Sequence, residues 1–166
     1  MAATSSSDVR LRAARGQDVP LLLSLITELA EYEQLAHEVV ATEVNLHAAL
    51  FGPERVAHAV IAQIGDDVAG FALYFFSFST FLARPGLYLE DLFVRPAARG
   101  KGYGKALLRE LARIAVERRA GRLEWAVLDW NAPSIAFYEG LGAHLMREWK
   151  LFRLTGNALQ HLAEQP

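Results

Sequence analysis

Between Val94 and Lys105 the chain reads VRPAARGKGYGK, with Gly100, Gly102 and Gly104 alternating among basic residues. A glycine has no Cβ, so an anion can approach its backbone N–H closely. The start of the following helix adds donors without an intrahelical partner and the positive end of the helix dipole. Arg95, Arg99, Lys101 and Lys105 supply charge around that pocket. The chemistry these residues suit is binding of a ligand with two or more phosphates. A P-loop would need Ser or Thr after Gly-Lys to hold Mg²⁺, and Ala106 follows Gly104-Lys105. A dinucleotide fingerprint needs glycines at its first, third and sixth positions, which this spacing does not give.

The loop does fit the Arg/Gln-x-x-Gly-x-Gly/Ala pattern through Arg99, Gly102 and Gly104, with Gly100 a common addition. In front of it stands YLEDLFV, Tyr88 to Val94, and behind it LDWNAPSIAFYEGLGA, Leu128 to Ala143. With these three segments in this order, the chain resembles the GCN5-related N-acetyltransferases (GNAT) from about Val9 to Leu154, and within them the diamine and polyamine branch of the spermidine/spermine and thialysine type. The resemblance implies an acetyl-CoA-dependent enzyme without a metal, acting on a primary amine of a small molecule: a diamine, polyamine or lysine-like amino acid. It also implies a homodimer. Backbone groups of Leu92, Phe93 and Val94 are then expected to hold the thioester arm, and Arg99, Gly100, Lys101, Gly102, Tyr103, Gly104 and Lys105 the pyrophosphate. Asn131 matches the residue that contacts the cofactor arm, besides being a helix cap, and Tyr138 matches the acid that protonates the leaving thiolate.

For such a transfer an amine arrives as an ammonium, which a carboxylate can attract and deprotonate. Glu90 and Asp91 of YLED are the candidates, with Glu90 ranked first as the residue the branch uses to relay the proton. Neighbours on an unbroken strand point to opposite faces. Either a bulge turns both toward one groove or only one takes part; a surface ion pair of Glu90 with Arg84 or Arg95 is the bland reading. Polyamine-specific members carry an acidic residue and a tryptophan before YLED, where this chain has Ser79 and Phe81. That departure favours a diamine or lysine-like amine. Glu28 could supply part of the missing charge, and Trp130 either lines the groove or packs. Two other readings stay open: a protein or peptide N-acetyltransferase, and a non-catalytic acyl-CoA sensor.

Composition narrows the classes. The 166 residues carry a net charge of −2, which argues against nucleic acid as a partner. With no cysteine, disulfides, thiolate metal sites and a Cys nucleophile are all excluded, so acyl transfer must be direct or use another nucleophile. The histidines form no HxH or HExxH pair. No apolar run approaches the roughly 18 residues of a membrane span and no leader pattern is visible, so a cytoplasmic protein is expected.

The elements that must position these residues follow from periodicity. Residues 1–7 read as a disordered tail and 8–166 as a single domain. Val9 to Arg12 suits a strand, with Arg10, Arg12 and Arg15 a solvated face. Asp18 and Pro20 open a helix striped by Leu22, Leu25, Ile26, Leu29 and Tyr32. Thr42 caps a second helix that Gly52 and Pro53 end. Ala57 to Ile64 and Val68 to Phe78 form a hairpin, and Leu87 to Val94 the strand before the glycine loop. The loop helix carries Leu107, Leu111 and Ile114 on one stripe. A parallel strand at Leu123 to Leu128, a short helix at Pro133 to Glu139 capped by Asn131, a closing strand at His144 to Leu154 and a terminal helix from Asn157 complete the pattern. The fold class is α+β, a mixed and mostly antiparallel central sheet flanked by helices.

Overall fold

The computed structural model describes residues 9–165, so the expected tail at 1–7 lies outside it. The described chain divides into two compact units, one through Ala126 and one from Val127.

The first unit holds a sheet of five strands in the order β1 (Arg10–Ala13), β2 (His58–Ile64), β3 (Asp67–Ser79), β4 (Arg84–Val94) and β5 (Leu123–Trp125). The first four pair antiparallel and β5 runs parallel to β4, a mixed sheet as the periodicity predicts. Alternation along the strands sorts the core into two faces. Leu22, Leu25 and Leu29 of α1 (Val19–Tyr32) and Leu50 of α2 (Glu43–Phe51) pack with Ala59, Ile61, Phe71, Leu73 and Phe93. The intervening buried residues Val60, Ala62, Ala72 and Tyr74 serve the other face. There α3 (Tyr103–Glu117) lays down Leu107, Leu108, Leu111 and Ala115.

The predicted cap holds at α2, where Thr42 Oγ1 accepts a bond from the Asn45 N–H. At α1 the outcome differs. Asp18 is buried and its carboxylate accepts both arms of the Arg12 guanidinium, at 2.7 and 2.9 Å, and the Arg15 N–H. Arg12 is therefore a paired structural residue and not part of a solvated face. At Gly70, opposite Val94, β3 and β4 approach so closely that a Cβ would sit 2.1 Å from the Phe93 carbonyl oxygen.

Two expectations are corrected. The strand expected to Leu128 ends at Trp125, because its ladder with β4 stops at the Leu89–Trp125 pair, immediately before β4 is interrupted at Glu90. The segment 144–154 is not a strand: apolar composition favours the conformation, but no strand among the described residues pairs with it. In the second unit the regular elements are α4 (Ala132–Glu139) and α5 (Gly156–Ala163).

Candidate active site

The acidic pair lies on a β-bulge. In the ladder between β3 and β4, Asp91 stands opposite Leu73 and Leu89 opposite Tyr74, leaving Glu90 without an opposite residue. The extra residue absorbs one step of alternation. Tyr88, opposite Phe75, and Asp91, opposite Leu73, consequently fall on the same α1 face, with Glu90 at the break between them. The strand is therefore bulged at the acidic pair, and the bulge places Asp91 on the α1 face.

The same irregularity frees a strand edge. Parallel pairing with β5 covers Leu87, Tyr88 and Leu89, whereas Asp91 to Val94 are paired on the β3 side alone. Backbone groups at Leu92 and Phe93 are thus available to a ligand that adds itself like a strand. The Phe93 side chain is core, so only its main chain can serve. The Val94 carbonyl already accepts a bond from Arg99 Nε, 2.9 Å.

Burial and charge act together on Asp91. Its carboxyl is pushed up to about 6, first by burial and then by the negative charges of Glu90 and Glu33. Glu33, the C-cap residue of α1, is itself raised by desolvation. Two carboxylates acting on the desolvated Asp91 cost free energy that a cation recovers. Among the described residues no group of three or more His, Cys, Asp or Glu could hold a metal ion. The sequence gives no signal for Glu33, one of three acids in ELAEYE, as the one that acts on Asp91. Glu28 is committed elsewhere: its carboxylate accepts from Arg95 Nε at 2.8 Å and Nη2 at 2.7 Å, and Arg95 Nη1 donates to the Val68 carbonyl. That ion pair removes Glu28 from the carboxylates open to an ammonium, and removes Arg95 from Glu90.

Beyond β4, Pro96–Ala98 makes one 3-10 turn into the glycine loop. Gly100 and Gly102 have φ of 76° and 84°, the left-handed region that glycine enters without strain. Nothing lies within 4 Å of a Cβ placed on Gly100. Gly102 caps α3, whose first turn contains no acidic residue, and Arg99, Lys101 and Lys105 are exposed around it. Open glycines, unpaired helix donors and exposed cations suit a pyrophosphate. Tyr103 corrects the expectation in part, since its ring is buried on the sheet face of α3 and only its main chain faces the loop.

The second unit carries the other expected residues. Asn131 is buried, and its Oδ1 accepts the Ser134 N–H at 3.3 Å, capping α4 as expected. Tyr138 occupies the last turn of α4, half-buried, with its ring 5.4 Å from that of Phe137. Trp130 is 51% exposed.

Four similarities bear on this geometry. The acetyltransferase (GNAT) family model matches residues 22–143. A thialysine N-epsilon-acetyltransferase of Bos taurus is 39% identical, over 93% of this chain and 97% of its own. An L-ornithine N5-acetyltransferase of Arabidopsis thaliana is 37% identical, over 91% of this chain and 86% of its own. Among solved structures, an integron cassette protein from the mobile metagenome of V. cholerae superposes with a TM-score of 0.80 at 31% identity, over 95% of this chain and 99% of that one.

Proposed function

The chain belongs to the GNAT family of acetyltransferases, and we propose that it moves the acetyl group of acetyl-CoA directly to a primary amine of a small diamine or lysine-like amino acid, residues 8–166 acting as one catalytic domain. The observation that carries this reading is Asp91, desolvated on the bulge between Glu90 and Glu33, beside the free edge of β4 that leads into the glycine loop. The named substrates of its relatives, thialysine and ornithine, are amines of the same class.

The cofactor supplies an activated thioester, and this chain's residues do the rest. Arg99, Lys101, Lys105 and the donors at Gly100 to Gly104 hold phosphate charge. Main-chain groups at Leu92 and Phe93 hold the arm, with Asn131 as a further contact. Asp91 and Glu33 draw the ammonium in, and Glu90, exposed at the bulge, accepts its proton directly or through a water. Tyr138 returns a proton to the departing sulfur. Fixed donors along β4 stabilise developing negative charge without reorganising. No described helix is long and apolar enough to cross a membrane; a cytoplasmic homodimer belongs to the same proposal.

The test is CoA release from acetyl-CoA with a panel of diamines, polyamines, thialysine, ornithine and short peptides, with wild type and Glu90→Gln. Saturable turnover on a small amine, lost by at least tenfold in the variant, is expected. Turnover on peptides alone would replace the substrate class, and CoA binding without any turnover would favour a sensor.

A further inference from the structure

Arg99 is fastened at two points. Its Nε donates to the Val94 carbonyl at 2.9 Å, and its guanidinium carbon sits 4.4 Å from the centre of the Tyr32 ring. The Phe93 ring is a more distant neighbour, at 5.9 Å. A guanidinium over an aromatic face keeps its in-plane N–H groups pointing outward, and Nη1 and Nη2 of Arg99 donate to nothing among the described residues. An exposed arginine would otherwise spread over many rotamers.

One turn earlier on the same helix face, Glu28 grips Arg95. Glu28 and Tyr32 are four residues apart on α1, and Arg95 and Arg99 flank the Pro96–Ala98 turn. Both arginines at the loop entrance are thus anchored to the helix that ends in Glu33. We infer that Tyr32 is a positioning residue for the cofactor loop: its ring holds the Arg99 guanidinium with the free Nη edge presented to the phosphate-binding glycines. This rests on the reading of the loop as a CoA site. It adds a residue outside the loop, in an element otherwise given to the amine side.

Titration calorimetry of CoA against the full chain tests it without any acceptor. Fixing the side chain beforehand reduces the ordering cost of binding. Tyr32→Leu is expected to weaken CoA about five- to tenfold, and Tyr32→Phe, which keeps the ring, less than twofold. In an Arg99→Gln background Tyr32→Leu should add less than a further twofold, because the two residues act as one unit. Tyr32 is 37% exposed, so truncation spares the core. An unchanged CoA affinity in Tyr32→Leu, or an equal loss in the Arg99→Gln background, would overturn the inference while leaving the cofactor site standing. A wild type that binds no CoA would overturn both.

Discussion

Asp91 is held at a cost in the free protein, and the sign of that cost is measurable. Its carboxyl is raised from 3.8 to about 6, so between those pH values the folded state binds more protons than the unfolded one. Stability therefore falls as pH rises through this window, and the penalty is fully present above about 6. A shift of this size is on the order of 2–3 kcal/mol. Asp91→Asn should stabilise the protein by about 1–2 kcal/mol at pH 7.5, with no gain at pH 3.5, as read by denaturant unfolding at both values. The same variant should raise the amine KM tenfold or more, and in wild type that KM should fall as pH rises through 6. Tyr138 offers a separate check: loss of the hydroxyl in Tyr138→Phe should lower kcat about a hundredfold with little change in the amine KM. If kcat stays within threefold across the pH range, the tyrosine is not the acid. Glu90 and Asp91 were legible as a pair because YLED carries the family resemblance and an ammonium calls for a carboxylate. Glu33 was not, because its importance comes from the helix end meeting the bulge, a tertiary fact absent from ELAEYE.

Helix α1 links the two halves of the proposed chemistry. Its period of leucines was legible, and so was its start at Asp18-Pro20, although Asp18 spends its carboxylate on Arg12 and the Arg15 N–H. The pairing of Glu28 with Arg95 was not legible, since 67 residues separate them. This pair lowers the Glu28 carboxyl, chiefly through the hydrogen bonds from Arg95. The sign here is opposite to that of Asp91: the stabilisation is present above the ordinary glutamate value of 4.5 and is lost as pH falls through the lower folded value. Both side chains are about one-third exposed, so solvent screening limits the pair to about 1 kcal/mol. Glu28→Gln should cost that much at pH 7 and less in acid, while the amine KM moves less than twofold. A tenfold rise in KM, matching Asp91→Asn, would return Glu28 to the acceptor site. The bulge at Glu90 also accounts for the shortened β5. The consecutive acids Glu90-Asp91 break the alternation of LYLEDLFV, and the pairing with β3 shows which residue is the extra one.

The C-terminal segment has the composition of a strand and none of a strand's pairing. Trp149, Leu151 and Phe152 are 73%, 79% and 90% exposed, and Leu145, Met146 and Leu154 are also exposed. Scattered exposed apolar residues are ordinary, but six within ten positions of irregular chain favour burial against another surface. In a homodimer each copy can offer this segment to the other, and a two-fold interface uses the same patch twice. Apolar composition predicts a closing strand over 144–154, but composition supplies propensity and not a partner, and no described strand pairs with the segment. Leu151→Asp combined with Phe152→Asp places two charges in that patch at little cost to an isolated chain. Light scattering coupled to size exclusion should show wild type at twice the chain mass and the double variant at the chain mass, with its far-ultraviolet circular dichroism retained. A wild type that elutes as a monomer, or a variant that remains dimeric, would mean that this segment is not where two copies meet.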